Sequence, residues 1–195
     1  MTKIQKPATT SVPISELLAN RWSPRVYDPS HEVTDEQVLR LAEAARWAAS
    51  GNNAQPWRFG FAKRGEELFE SISTVGLTGF NASWAPNASL YVLAFADKVR
   101  ADGTEIDRHA AYFNNALATS QIVFEAEAMG LKSHYMGGVI HNEILKLVGI
   151  EDAWLTCVIT IGAQGDASAV SDELKQREST PRERKALSEV VITQL

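Results

Sequence analysis

Four short segments of this chain combine guanidinium, amide and glycine groups at spacings that suit a ligand carrying both an anion and a flat ring. Arg21-Trp22-Ser23-Pro24-Arg25 places two guanidinium groups within five residues. Arginine suits phosphate because its planar fork donates paired hydrogen bonds and stays charged. Pro24 fixes the backbone between the two. Without a ligand, the same residues would make a solvated basic turn. Near the other end, Arg182-Glu183-Arg184 has an i, i+2 arrangement that an extended chain points one way. A phosphate monoester carries about −1.5 to −2 charges near neutral pH, so two or three arginines complement it. Taken alone, that segment is equally well a solvated charged tail.

The other two segments suit the ring. Ser50-Gly51-Asn52-Asn53-Ala54-Gln55-Pro56-Trp57 follows an amphipathic stretch and packs amides, small residues and an aromatic where the chain must turn. Asn53 and Gln55 offer donors and acceptors for a heterocycle edge, and Ser50 and Gly51 permit close backbone approach. The alternative is a polar helix terminator, although Gln-Pro-Trp is an unusual way to end a helix. Tyr135-Met136-Gly137-Gly138 presents paired glycines whose N–H groups can meet a planar ligand unobstructed. A turn needing positive φ selects glycine just as well.

Other chemistries lack their residues. The sequence has no G-x-S-x-G, H-E-x-x-H, Walker-type or G-x-G-x-x-G motif. His31, His109, His134 and His141 lack zinc-ligand spacing, and His134 and His141 read as ordinary loop and helix-start residues. The single cysteine, Cys157, sits in an apolar run and reads as a small buried hydrophobe. A net charge of −5 argues against nucleic acid or an anionic membrane as the main partner. No signal peptide is visible, and the longest apolar run, Leu90 to Ala96, is far too short to span a bilayer. A cytoplasmic location is the expectation.

The elements that must position these segments follow from periodicity and capping. One domain spans residues 1–195, with about the first dozen residues as a loose arm. Ile14 to Asn20 is a short helical candidate. Thr34-Asp35-Glu36-Gln37 has the form of a capping box and opens a helix to about Ala49. Strands are expected at Trp57–Ala62, Ser89–Ala96, Lys132–Met136 and Leu155–Gly162, with an edge strand at Val190–Ile192. Glu66–Val75 and Asn142–Val148 read as helices. Asp107 should cap a long helix to about Met129, stopped by Gly130. That helix is apolar over much of its circumference, which places it at the centre of the fold or at a subunit interface. Helices dominate and do not alternate regularly with strands, so the fold class is α+β.

Together the four segments resemble the nitroreductase family of FMN-dependent oxidoreductases. The resemblance rests on Arg-x-Ser-x-Arg, Ser-Gly-Asn-Asn-Ala-Gln-Pro-Trp, the Gly-Gly turn before a short helix, and Arg-x-Arg followed by Leu-x-Glu-Val-Val. In order and spacing it runs from about Ile14 to Val191. It implies a three-layer sandwich, with an antiparallel-dominated sheet flanked by helices, and a homodimer holding FMN at the subunit interface. NAD(P)H would be the electron donor, and a nitroaromatic or quinone the small-molecule acceptor, in a ping-pong cycle. Arg21, Trp22, Ser23 and Arg25 look like the N-terminal FMN contacts, with Arg21 on the phosphate beside Arg182 and Arg184. Arg25 would lie by the pyrimidine edge of the ring. Ser50, Gly51, Asn53 and Gln55 would reach the flavin from the neighbouring subunit. Asn81 falls where the family places an asparagine near the isoalloxazine, while Met136, Gly137 and Gly138 would border its N5 and O4 side. No catalytic side chain is nominated, because the chemistry resides on the flavin.

Three departures stand out. Gly51 replaces a frequent second serine, Trp84 falls near a position that is basic in some members, and the stretch from Asp97 to Asp107 is short. The rival readings are a specialised relative (a dehalogenase, a flavin-consuming enzyme or an enoate reductase), a flavin-binding storage or sensing protein without turnover, and an acidic interaction domain that keeps only the fold.

Overall fold

The computed structural model describes residues 3–193. In chain order its helices and strands are α1 (Glu16–Asn20), α2 (Asp35–Arg46), β1 (Trp57–Lys63), α3 (Glu67–Ser71), β2 (Leu90–Asp97), α4 (Arg108–Ala128), β3 (Lys132–Met136), α5 (His141–Val148), β4 (Ala153–Gly162), α6 (Asp172–Ser179) and α7 (Leu187–Val190). The strands form one sheet in the order β1-β2-β4-β3, and every neighbouring pair is antiparallel.

The sheet is apolar on both faces, so it must be covered on both. On β2, Tyr91, Leu93 and Phe95 point into one core, and Leu90 and Val92 into the other. On β4 the alternation slips once. Ala94 pairs with Cys157 but Phe95 pairs with Leu155, which leaves Thr156 as an extra residue. This bulge puts Leu155 and Val158 on one face and Ile159 and Ile161 on the other. Thr156 Oγ1 donates to the Ala94 carbonyl (3.0 Å), so the disturbed ladder keeps its partner. Leu41 and Ala45 of α2 and Ala118, Ile122 and Ala126 of α4 cover one face. Phe69, Ile72, Trp84, Ile144 and Leu174 cover the other. The result is the expected α+β three-layer sandwich.

The capping signals in the sequence behave as their chemistry dictates. Thr34 Oγ1 accepts from Gln37 N (3.1 Å) while Gln37 Oε1 accepts from Thr34 N (3.0 Å). Asp107 accepts from Ala110 N (2.9 Å) at the start of α4, and Gly130, at φ +74°, ends the turn after it.

Two expectations are corrected. The helix read from Glu66 to Val75 is α-helical only to Ser71, then widens into a π turn over Ile72–Gly76. Thr74 Oγ1 donates back to the Glu70 carbonyl (2.8 Å), a contact that bends helices. The edge strand read at Val190–Ile192 does not form, and Leu187–Val190 is a short helical turn. Glu189 closes it, accepting from Ala186 N through Oε2 (2.8 Å) and donating its own N–H to the Ala186 carbonyl (2.9 Å).

Candidate functional site

Arg21, Arg182 and Arg184 converge although 161 residues separate the first two. Burial, followed by the charge of Arg184, lowers the Arg21 pKa, against the pull of Glu127 and Tyr135. Burial lowers that of Arg182 too, and Arg21 and Arg184 add to the effect. Among the described residues none of the three makes an ion pair. Arg21 Nη1 donates to Ser23 Oγ (3.1 Å), Arg182 to the carbonyls of Lys6 and Ala19 (2.6 and 2.8 Å), and Arg184 to its neighbour's carbonyl (2.7 Å). Glu127, the acid whose charge reaches both Arg21 and Arg182, is bonded through Oε1 to Lys132 (2.5 Å). A partly buried group of like charges raises the folded state's energy unless an anion joins it. The cluster therefore has the charge, and the free donors, that a phosphate dianion requires.

The two arms carrying these arginines are stitched together in both directions. Arg182 reaches back to Ala19 and Lys6, while Lys6 Nζ donates to the Thr180 carbonyl (2.7 Å). Glu178 Oε1, on α6, accepts from the backbone N–H groups of Arg25 (2.5 Å) and Val26 (2.8 Å). One turn of chain away, His134 Nδ1 lies 3.1 Å from the Ser23 carbonyl and 3.0 Å from that of Pro24. Burial, followed by the charge of Arg25, pushes the His134 pKa down to about 4, so the ring is neutral and Nδ1–H is the donor.

Strand β3 acts as a ruler beside this arm. Lys132, at its start, pairs with Glu127 near the arginines, His134 grips Ser23 and Pro24, and Gly137 and Gly138 follow its end. At about 3.3 Å per residue, Gly137 lies roughly 17 Å beyond Lys132. Both glycines are exposed. The Gly138 carbonyl is held from behind by Thr78 Oγ1 (2.7 Å) and Asn81 Nδ2 (3.0 Å). An added Cβ on Gly137 would meet nothing within 4 Å, so that backbone faces open space. Asn81 thus contacts the glycine turn itself.

The turn at 50–55 stands apart. Asn52, Asn53 and Gln55 all have left-handed backbone, with φ of 52°, 55° and 48°. Such conformations cost of order 1 kcal/mol each in non-glycine residues and concentrate at functional sites. Ser50 Oγ accepts from Gln55 N (3.0 Å), and Gln55 Nε2 donates to the Asn53 carbonyl (3.0 Å). Gly51 N is anchored to Asn114 Oδ1 on α4 (2.9 Å). Asn114 and Glu127 are 13 residues apart on that helix, which is roughly 20 Å at ~1.5 Å per residue. Within one chain, then, the turn and the arginine cluster are not brought together.

The remaining candidates are internal. Trp22 and Met136 are 4% and 2% exposed, Met136 within the core and Trp22 beneath the Lys6 ammonium (4.6 Å). Trp84 is fully buried between Tyr27 and His134 rather than beside an open ring surface. Cys157 has its thiol pushed up to about 11 by burial, so it holds no thiolate near neutral pH. His134, Glu178, Asn114 and Thr78 hold the candidate segments, and sequence reading singled out none of them for this role. Their partners lie 60 to 153 residues away, and no local motif announces such contacts. Among the described residues no cluster of His, Cys, Asp and Glu could hold a metal, and no helix is long and apolar enough to cross a membrane.

The fold is a four-stranded antiparallel sandwich, and its arginine cluster has the charge to receive an anion. The Nitroreductase family model matches residues 18–87 and 76–163, and the chain belongs to that family. It is 28% identical to a crystallised oxidoreductase containing FMN, with a TM-score of 0.87 over 98% of this chain and 96% of that one. It is 24% identical to YdgI of Bacillus subtilis (strain 168), provisionally named an NAD(P)H nitroreductase, over 82% of this chain and 92% of YdgI. A 47-residue stretch is 47% identical to the major NAD(P)H-flavin oxidoreductase of Aliivibrio fischeri, covering 24% of this chain and 22% of that protein.

Proposed function

We propose that the chain is an FMN-dependent oxidoreductase that passes hydride from NAD(P)H to an organic acceptor such as a nitroaromatic or quinone. The observation that carries this reading is the arginine trio, which gathers positive charge from both ends of the chain and, among the described residues, makes no ion pair, with Glu127 as the one carboxylate that offsets Arg21 and Arg182. Arg21, Arg182 and Arg184 hold the phosphate, and Ser23 orients Arg21 through its 3.1 Å contact. Arg25 sets a fixed positive charge by the pyrimidine edge, which is preorganised for negative charge on the ring. The exposed N–H groups of Gly137 and Gly138 border the reactive side, held in place by Thr78 and Asn81. When bound, FMN supplies the redox chemistry, with hydride in from NAD(P)H and reducing equivalents out to the acceptor in a ping-pong order.

The working unit is a homodimer with the flavin at its interface. Supporting this, the strained turn carrying Ser50, Gly51, Asn53 and Gln55 lies roughly 20 Å along α4 from the arginines of its own chain. A second copy can bring that turn to the ring. The outer side of α4 also leaves Phe113 65% exposed, a residue that a partner would cover.

The test is an anaerobic titration of purified, FMN-loaded protein with NADH and then NADPH. Rapid loss of the yellow band, restored by a quinone or nitroaromatic, is the expected result. A band that does not bleach would indicate a flavin-storage or flavin-sensing protein. A protein with no visible band after saturation with FMN would leave only an interaction domain.

A further inference from the structure

The backbone from Ser23 to Val26 carries Ser23 and Arg25 and follows directly on Arg21 and Trp22, yet it lies in no helix or strand. A loop of that kind would ordinarily sample many orientations. Here four backbone groups are gripped by two side chains from distant elements, one buried (Glu178) and one half-buried (His134). His134 of β3 donates to the Ser23 and Pro24 carbonyls, and Glu178 of α6 accepts from the Arg25 and Val26 N–H groups.

We propose that His134 and Glu178 are positioning residues for the flavin, a clamp that fixes where Arg21, Ser23 and Arg25 point and thereby sets FMN affinity and the reduction potential of the bound ring. The proposal rests on the FMN reading above and adds residues that touch neither ring nor phosphate.

The geometry separates a clamp from ordinary packing. Glu178 is 1% exposed, and a carboxylate is expensive to bury. One oxygen serves both amides, while Oε2 has no hydrogen-bond partner. An apolar residue of the same size would fill that space without the desolvation cost, so the polar side chain is kept for the acceptor that Oε1 supplies. Glu178 also lies four residues before Arg182, which itself bonds to Ala19 two residues before Arg21. The arm bearing Arg21 and Arg25 and the arm bearing Arg182 and Arg184 are therefore registered against each other at two points. On the other side, the neutral His134 ring packs at a 46° tilt against the fully buried Trp84, 4.7 Å between centroids, which restrains its Nδ1–H toward the two carbonyls. A displacement of Arg25 by even one ångström changes the field at the pyrimidine edge, and with it the relative stability of the oxidised and reduced rings.

The experiment compares E178Q and E178M in the full-length dimeric protein, reading FMN affinity by fluorescence titration and the flavin midpoint potential by anaerobic dye equilibration. E178Q keeps an acceptor for both amides and should stay within about threefold of the parent affinity, with an unchanged potential. E178M removes the acceptor and should bind FMN at least tenfold more weakly, at a more negative potential. A folded E178M with the parent affinity and potential overturns the proposal. If E178M does not fold, E178D takes its place, since it is one methylene too short to hold both amides and should also lower the potential. Loss of fold in both would overturn the proposal as well, by giving Glu178 a role in the whole domain rather than in this loop. R25A is measured alongside. If R25A leaves both affinity and potential unchanged, it is the underlying flavin assignment that fails, not the clamp.

Discussion

Arg21 and Arg182 belong to one cationic cluster, yet truncating them should have different consequences for the apoprotein. Arg182 donates to two carbonyls, those of Lys6 and Ala19, and so ties the N-terminal arm to the body. At about 0.5–1.5 kcal/mol net per hydrogen bond, R182A should cost the flavin-free protein about 1–3 kcal/mol. Arg21 makes one bond, to the nearby Ser23 hydroxyl, and its surroundings set the attraction of Glu127 and Tyr135 against repulsion from Arg184 and Arg182. Its removal loses the one and relieves the other, so R21A should change apoprotein stability by no more than about 1 kcal/mol in either direction. Binding should show the reverse pattern for Arg21. A charge-assisted bond to phosphate contributes about 1.5–3 kcal/mol, so R21A should weaken FMN binding roughly 10- to 150-fold. Urea unfolding of the apoprotein and fluorescence titration with FMN measure the two effects separately. Equal destabilisation by R21A and R182A, or an R21A protein that binds FMN like the parent, would refute the reasoning.

Other perturbations probe the supporting structure. His134 is depressed to about 4 in the folded state from an ordinary 6.5, so between those values the unfolded chain binds a proton that the folded one does not. Stability should therefore fall as pH drops from 6.5 toward 4, by about 3 kcal/mol in all at ~1.4 kcal/mol per pH unit. Urea melts across that range should show the slope, and an equal slope in H134Q would assign it elsewhere. Gln55 sits at φ 48°, so Q55G should stabilise the protein by about 0.5–1 kcal/mol while weakening FMN binding. A Q55G protein that gains nothing in Tm would show that the turn is not strained there. An added Cβ at Gly165 would lie 2.4 Å from the Tyr27 carbonyl oxygen, and Gly165 N donates to the Val26 carbonyl (2.9 Å). G165A should thus cost about 2–3 kcal/mol and loosen FMN as well, and calorimetry finding a normal Tm would contradict it.

What the sequence made legible was local. β3 was readable residue for residue from Lys132 to Met136, and α4 from its Asp107 cap and Gly130 stop, because capping and alternation are short-range signals. The four candidate segments stood out for the same reason, since each is a compact run of unusual composition. The π turn after α3 escaped because one hydroxyl, that of Thr74, diverts a ladder whose residue pattern is otherwise helical. Val190–Ile192 misled because β-branched residues favour strands only where an edge is available, and here a glutamate closed a turn instead. The clamp on Ser23–Val26 was invisible because Glu178 looks like any helix-terminal acid and His134 like any strand histidine. Only the folded chain brings them to the same three successive peptide groups.

The central claim is that three arginines from opposite ends of the chain grip the ester phosphate of FMN. Riboflavin shares the ring and ribityl chain but lacks that phosphate, so direct titration of the flavin-free protein with each compound isolates the cluster's contribution. At about 1.5–3 kcal/mol for each charge-assisted contact, FMN should bind at least about a hundredfold more tightly than riboflavin. That advantage should shrink in R21A and in R184A. Equal affinity for the two compounds, or an FMN preference that survives the loss of both arginines, would contradict it.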